Sequence, residues 1–429
     1  MAKQIVIVGG GAGGLELATK LGNKFKNTAS VDVLLLDKYP YHIWKPLFHE
    51  VAAGSLDVDM DGVDFRAHAT NNHFEFQKGE VYQLDRENQE ILIKAICDEH
   101  GEQLVPPRRV RYDTLVFAIG SITNDFNTAG VKTHCLTLDT TKQAEQFHSK
   151  ILNEFLKLKA NDSQTSLKIN IIGAGATGVE LAAELYKLTD LVSVYGFDKI
   201  TRNSVEITLI EAAPRILSAL PERISDSALK VLKELGVIVR TGTMVKEAHE
   251  KGVETTTGEL INSNINVWCA GVKVPEFMNN IGGLATNKIN QLVITETLQS
   301  ESDENIFAIG DCASLQQKDG SYVPPRAQSA HQMADQCYKN ICAQLDGHAL
   351  SAFEYKDKGS LISFAEYTSV GFLSSVTNKK VFIEGSIARK LYVSLYRLHQ
   401  AALHGYGKML LLMLVGRINR RLRPKLKLH

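Results

Sequence analysis

The chain has 429 residues, with 48 Lys/Arg against 48 Asp/Glu, and 44% of it is hydrophobic. This balance excludes a globally basic nucleic-acid binder and a disordered polyelectrolyte, and the length implies two or three domains. The zero net charge hides a split: ten of the basic residues and no acidic residue fall in 385–429, leaving 38 basic against 48 acidic before them. An acidic body with a basic tail predicts a separate partner for the tail.

In chain order, Ile5-Val6-Ile7-Val8 reads as a buried parallel strand. It follows Met1-Ala2-Lys3-Gln4 with no apolar h-region and no Arg/Ser-rich leader, a start expected of a cytoplasmic protein. The strand enters Gly9-x-Gly11-x-x-Gly14, and Leu15, Ala18 and Leu21 continue at helical spacing. In such a loop the first glycine permits the tight turn and the second lets backbone approach a pyrophosphate. The third packs helix on strand, and the helix N-terminus supplies N–H donors. A second strand, 31–36, ends at Asp37, 23 residues past Gly14, the distance of a ribose-binding carboxylate. Residues 74–111 alternate polar and apolar, predicting a small β-meander, and 112–120 is an apolar strand ending in Gly120.

The pattern recurs. Ile169-Asn170-Ile171-Ile172 leads into Gly173-x-Gly175-x-x-Gly178, and strand 205–210 ends at Glu211, 33 residues past Gly178. The excess length lies in 190–204, which reads as an extended helix or an insertion. A carboxylate at 211 favours the free 2′-OH of NAD(H) over the 2′-phosphate of NADP(H), although Arg215 stands four residues on. Glu180 and Glu184 share one face of the helix after this loop. The plain alternative for Glu180 is a carboxylate stabilised by the helix dipole. Two fingerprints imply two dinucleotides, one held permanently and one exchanged, as in a flavoprotein that accepts hydride from a nicotinamide.

Six cysteines (Cys97, Cys135, Cys269, Cys312, Cys337, Cys342) are scattered without a C-x-x-C, and no H-E-x-x-H occurs, so no metal is expected. The longest apolar run, Met409–Val415, spans only about 10 Å as helix against about 30 Å of hydrocarbon. Arg389–Leu403 places Tyr392, Leu395, Tyr396, Leu398, Ala402 and Leu403 near one stripe, and Gly405-Tyr406-Gly407 interrupts it. Basic and aromatic residues beside an apolar face predict a helix lying on an anionic lipid surface, with dimer packing or RNA contact as the alternatives.

Asn305–Asp311, a strand ending in Gly310-Asp311, joins the two fingerprints and 112–120 in resembling the flavoproteins with two dinucleotide-binding domains. Within them, Tyr41-His-Ile-Trp-Lys-Pro-Leu-Phe-His-Glu-Val-Ala-Ala-Gly54 is similar to the His-x4-Pro-Leu-x3-Val-Ala-x-Gly segment of type II NADH dehydrogenases. Ala327-Gln328-Ser-Ala-His-Gln332 resembles their Ala-Gln-x-Ala-x-Gln quinone motif, and Trp268-Cys-Ala270-Gly271 their Trp-x-Ala-Gly strand. The tail resembles the bacterial, Escherichia-like branch.

The resemblance implies an α/β fold of two Rossmann-like domains with a C-terminal amphipathic membrane-anchoring region. The expected plan is an FAD domain in two parts (1–120, with the meander at 74–111, and 283–345), an NADH domain (121–282) and a membrane and dimerisation region (346–429). FAD contact is implied at Gly9, Gly10, Gly11, Ala12, Gly13, Gly14, Asp37, Lys38, Lys45, Pro46, Val81, Ala118, Gly120, Gly310, Asp311, Ala327 and Gln328. NADH contact is implied at Gly173, Gly175, Ala176, Thr177, Gly178, Glu180, Glu211, Ala270 and Gly271. Gln328 and Gln332 are the implied quinone ligands, and Glu180, Glu184 and Gln328 the implied catalytic groups. His42, His49 and His331 are titratable groups close to these motifs.

The activity implied is NADH:quinone oxidoreduction by a ping-pong hydride route without proton pumping, at the cytoplasmic face of the bacterial inner membrane. A disulfide reductase is disfavoured because no cysteine precedes Cys97. Sulfide:quinone oxidoreductase, a soluble ferredoxin or rubredoxin reductase and a membrane-bound dinucleotide sensor are the competing readings.

Overall fold

The computed structural model describes residues 2–160, 166–197, 200–374 and 380–422. The elements used below are β1 (Lys3–Val8), α1 (Ala12–Phe25), β2 (Val31–Asp37), β3 (Glu75–Lys78), β4 (Thr114–Phe117), α2 (Thr141–Ala160), β5 (Leu167–Ile172), α3 (Ala176–Val192), β6 (Val205–Ile210), α4 (Glu222–Leu235), β7 (Ile238–Arg240), β8 (Ile265–Trp268), β9 (Asp303–Ala308), α5 (Ala327–Leu345), β10 (Gly359–Phe364), β11 (Thr368–Ser374), β12 (Lys380–Glu384) and α6 (Gly385–Leu422).

The chain forms two compact units. The first comprises Met1–Trp44, Gly62–Ile122 and Val272–Lys356. Its sheet runs in the order β9-β4-β1-β2-β3, all parallel, with Gln299–Ser300 antiparallel on the outer edge of β9. The strands are parallel because helices and long excursions return the chain to the same edge, and aliphatic runs such as Ile5–Val8 and Val33–Leu36 are buried on both faces. Glu75–Lys78 is the edge strand beside β2, while Val81–Asp85, Glu90–Ile93 and Arg108–Arg111 form a separate antiparallel sheet.

The second unit comprises Lys45–Asp61, Thr123–Gly271 and Asp357–His429. Its parallel sheet, (Cys135–Leu136)-β8-β5-β6-β7, repeats the β4-β1-β2-β3 order of the first, while its outermost strand precedes β5 in the chain where β9 comes last. In both units the strand before the glycine loop has its sequence successor on one side and a later strand on the other. That is the switch point beyond which open α/β sheets bind ligands. β10, β11 and β12 form an antiparallel meander that packs against α6, in which Ala388, His399 and Leu403 are buried.

Gly405, at φ 76 and ψ 161, breaks α6 into two helical stretches where the sequence places its glycine pair. The stripe expected from 389–403 divides between two faces. Leu403 is buried, whereas Leu395 and Leu398 are exposed along with Ile387, Val393 and, after the break, Leu410, Leu411, Leu414 and Ile418. Among the described residues no helix is long and apolar enough to cross a membrane.

Candidate active site

The first glycine loop leaves β1 with Gly9 at φ +106, which an L side chain rarely adopts, and a Cβ there would stand 2.5 Å from the Ala118 carbonyl oxygen. Gly9 N–H donates to Leu36 O (2.7 Å) and Gly10 N–H to Asp37 Oδ2 (2.6 Å), so the acid ending β2 braces the loop. Tyr39 N–H donates to the other oxygen of Asp37 (2.8 Å). Burial raises the Asp37 carboxyl against those hydrogen bonds. A Cβ on Gly14 would lie 1.9 Å from Gly9 O, which is how closely α1 begins on the turn. Gly10 lies beneath the Phe65 ring and Gly13 beneath the Ala330 carbonyl; Gly11 is exposed and Ala12 half-buried.

The second loop repeats these contacts. Gly173 has φ +101 and would strike Ala270. Its N–H donates to Ile210 O (2.8 Å), and Ala174 N–H to Glu211 Oε2 (2.7 Å). Ala213 N–H occupies the other Glu211 oxygen (2.8 Å). A Cβ on Gly178 would lie 2.0 Å from Gly173 O. The tip of this loop is open among the described residues: Gly175, Ala176 and Thr177 are exposed. Arg215 donates to the carbonyls of Ser218 (2.7 Å) and Leu220 (2.8 Å), so its guanidinium is committed to its own turn. Trp268 Nε1 donates to Asn124 O (2.9 Å), and Gly271 at φ +63 lies under the Phe126 ring, fixing the backbone around Ala270.

Glu180 is buried in the second turn of α3, one turn beyond the position expected for a simple dipole contact. Ser363 N–H on β10 donates to its Oε1 (3.0 Å), and His49 Nδ1 stands 3.7 Å from Oε2. Burial pushes the Glu180 carboxyl up to about 8, with Glu50 and Glu184 adding repulsion against the stabilising bond from Ser363 and the nearby Tyr392 hydroxyl. Burial, and secondarily Lys187, holds His49 down to about 3, so its imidazole is neutral. Glu184, also buried and raised by burial, accepts from Ser55 Oγ (2.9 Å) and lies 3.5 Å from Lys187 Nζ. The Tyr392 hydroxyl is buried in the same group and held well above its ordinary range by burial and by the Glu180 carboxyl. Donor atoms of His49, Glu50 and Glu184 lie within 4.8 Å of one another, and the Lys187 ammonium supplies positive charge there.

In the first unit, Ser121 Oγ donates to Asp311 Oδ2 (2.7 Å), and Gln291 holds the Asp311 carbonyl (2.9 Å), so the Gly310-Asp311 turn is pinned from two sides. Gly310 is at φ +72, and Gly120, at φ +71, has open space where a Cβ would go. Ala118 is buried. Ala327 and Gln328 form the half-buried first turn of α5. Gln332, one turn on, exchanges hydrogen bonds with the Lys356 main chain (2.9 and 3.0 Å), so both ends of its amide are occupied. Lys38 is exposed over the Tyr39 ring. Val81 is buried at the head of an antiparallel strand. Lys45 and Pro46 are exposed on a short 3-10 turn in the second unit.

Sequence reading names Glu180 and Glu184 for this site but not Ser55 or Ser363, and it puts Tyr392 on the stripe of the tail instead of beside Glu180. Those three reach the carboxyls only through folding over 125 residues or more of chain, and nothing local marks them. The 190–204 stretch is partly helix: α3 runs to Val192, and Arg202 then clamps Asp190 (2.7 Å) with Tyr367 donating to the same carboxylate (2.6 Å). Residues 198–199 lie outside the described residues. Burial raises the thiols of Cys135, Cys269 and Cys312 to about 12, which keeps them protonated and poor nucleophiles.

Residues 3–334 match the family model described as pyridine nucleotide-disulphide oxidoreductase. The chain is 45% identical to the type II NADH:quinone oxidoreductase of Haemophilus influenzae, with all of both chains covered. Among solved structures it is similar to NDH2 from Plasmodium falciparum in complex with NADH, at TM-score 0.82 and 19% identity over 100% of each chain. It is also similar to the sulfide:quinone oxidoreductase of Aquifex aeolicus, at TM-score 0.73 and 18% identity over 94% of this chain and 92% of that one.

Proposed function

The chain belongs to the type II NADH:quinone oxidoreductases, FAD-dependent members of the pyridine nucleotide-disulphide oxidoreductase family, and from that premise we propose how its residues divide the work. The observation that carries the division is the duplicated cradle, Asp37 bracing Gly10 and Glu211 bracing Ala174. We assign the first loop, with Asp311, Gly120, Ala118 and Ala327, to FAD. The turns at Gly9 and Gly310, where a Cβ would be strained, and the pinned Asp311 carboxylate suit a pyrophosphate–ribityl chain. Flavin, when bound, accepts a hydride and passes on two electrons. We assign the second loop, with Glu211 and Gly271, to NADH; the committed Arg215 leaves no guanidinium to receive a 2′-phosphate.

The Glu180 carboxyl, protonated near neutral pH beside a neutral His49, holds a proton ready for the reaction, and Glu184 with Ser55 supports it from behind. Ala327 and Gln328 open the helix offered to the quinone. Gln332 has the lesser share in this assignment, since its amide is bonded to Lys356. A two-step exchange, NAD+ leaving before quinone reduction, follows from one exchanged and one retained cofactor. Among the described residues no helix is long and apolar enough to cross a membrane and carry a proton relay, which supports electron transfer without pumping.

The tail carries the location. Past the break at Gly405, Leu410, Leu411, Leu414 and Ile418 are exposed among basic residues, which suits α6 to the anionic cytoplasmic leaflet or to a second copy of the chain. The buried thiols speak against the sulfide-oxidising reading, which needs a thiolate beside the flavin.

The test is anaerobic. NADH should bleach the yellow protein, and a short-chain quinone should restore its colour. Bleaching without recovery would favour a dinucleotide sensor. Ending the chain after His404 should abolish binding to anionic vesicles while bleaching persists; a truncated protein that still floats with vesicles would remove the tail from the assignment.

A further inference from the structure

Glu16 is buried on α1, two residues past the last glycine of the first loop. Burial alone would raise its carboxyl, yet His331 and Lys20 together hold it below the usual carboxylate range. As a carboxylate it accepts from the Nδ1 of His331 on α5, whose ring stacks on Trp44 at 5.4 Å between centroids. One turn further along both helices, Lys20 pairs with the exposed Asp335 and also reaches back to Glu16 (2.6 Å). The contacts 16 to 331 and 20 to 335 advance by four residues in the same sense. α1 and α5 therefore run in the same direction with their N-termini at one end. The crossing is tight: a Cβ on Gly13 would come within 3.0 Å of Ala330 O, and one on Gly310 within 3.2 Å of Ala330 Cβ.

We propose that the Glu16–His331 pair, with Lys20–Asp335 as its outer rung, is a register lock that positions the first turn of α5, and with it Ala327 and Gln328, for the quinone half-reaction. The physical ground is cost. A polar pair built on a buried carboxylate is seldom worth more than apolar residues of like volume, and its best-attested use is to specify register. Here the two helices locked carry, at their shared end, the FAD loop and the segment that resembles a quinone motif. Glu16 and His331 act through α5 and are positioning residues. The proposal rests on the reading that α5 meets the quinone.

The two can be separated experimentally. Glu16→Leu or His331→Leu alone breaks their bond while leaving one polar group at the helix crossing, and should lower stability. The double variant Glu16→Leu/His331→Leu removes both partners and should recover thermal stability and keep FAD through gel filtration. In the double variant the rate of bleaching by NADH should stay within about twofold of wild type, while KM for quinone rises about tenfold. Glu16→Gln, which can still accept from His331, should stay within about threefold in quinone KM.

A stable, yellow double variant with wild-type quinone KM overturns the lock. Equal loss in both half-reactions does so too. If the double variant does not fold, Asp335→Leu on the exposed rung should raise quinone KM about threefold without loss of stability, and an unchanged KM overturns the proposal. Failure of wild-type protein to recover its colour with quinone would instead sink the functional reading itself.

Discussion

The two glycine loops differ least where they look most specialised and most where they look alike. Their backbones superimpose in logic: the same positive-φ first glycine, the same acid bonding the N–H that follows it, the same near-contact of the third glycine with the first carbonyl. The covers differ. Phe65 and Ala330 lie over the first loop, whereas Gly175, Ala176 and Thr177 stand open in the second. Two residues past the third glycine each loop places a buried glutamate, Glu16 and Glu180, and four residues further stand Lys20 and Glu184. A lysine and a histidine hold Glu16 low, while burial and carboxylates raise Glu180 to about 8. One position in one motif thus gives a structural anion in the first unit and a proton-bearing acid in the second. The fingerprint sets the cradle, and residues folded against it decide whether its ligand stays and what its glutamate does.

The largest expected effect breaks the symmetry of the cradles. Gly14→Val should yield a colourless protein, because the branched side chain cannot fit 1.9 Å from Gly9 O without displacing α1. Gly178→Val should remain yellow and lose bleaching by NADH, with KM for NADH raised about a hundredfold or more. Absorbance spectra of the purified variants decide this. A colourless Gly178→Val would mean that the loops are not specialised.

Next come the paired glutamates. Glu180→Gln should retain FAD and lower turnover by about ten- to a hundredfold. The wild-type rate should fall as pH rises through about 8, where Glu180 loses its proton, and the variant should lack that limb. Stability gives an independent sign. For Glu180 the folded pKa lies above the ordinary 4.5, so the native state binds the extra proton between about 4.5 and 8 and stability from this group falls across that window. For Glu16 the folded pKa lies below 4.5, so its contribution is present above that value and is lost as pH falls through the folded pKa. Thermal melts should therefore show Glu180→Gln gaining on wild type as pH rises from 5 to 8. A variant that tracks wild type at every pH would remove the perturbed carboxyl.

Much of this was legible in the sequence. Strand, loop, helix and acid lie within forty residues of one another in each unit, so local patterning marks Gly9, Asp37, Gly173 and Glu211. Periodicity also marks the break at Gly405. It did not sort the faces of 389–403, because Leu395 and Leu398 are as apolar as Leu403 yet are exposed while Leu403 is buried. Nor could it separate Glu16 from Glu180. The difference comes from His331 and Lys20 beside Glu16 and, for Glu180, from burial and the Glu50 and Glu184 carboxyls, and His331 and Glu50 are distant in the chain from the glutamates they act on. Gln332 carries the motif spacing, but its amide goes to Lys356, a main-chain partner no motif announces.

The contrast in covers makes a smaller prediction. Gly10→Ala should cost about 1–3 kcal/mol, since the Phe65 ring lies 2.3 Å from the new Cβ and is itself packed on Phe76. Gly175→Ala, with nothing within 4 Å, should change stability by less than about 0.5 kcal/mol. Denaturant melts of the two variants measure this, and equal losses would show the second loop to be as enclosed as the first.

The smallest effect concerns which nicotinamide dinucleotide the open loop takes. Glu211 and Arg215 lie four residues apart, and sequence alone leaves open which of them governs the choice. In the fold Arg215 bonds the carbonyls that close its own turn, so Arg215→Ala should disturb that turn slightly and leave the NADH to NADPH preference within about twofold. Glu211 retains its carboxylate at the loop, where its charge repels a 2′-phosphate. Glu211→Gln should narrow the preference about tenfold, chiefly by improving NADPH, while keeping the bond from Ala174 N–H through its amide oxygen. A preference shifted by Arg215→Ala and untouched by Glu211→Gln would reverse the roles. The second loop would then discriminate through a mobile guanidinium instead of through the carboxylate that braces its backbone.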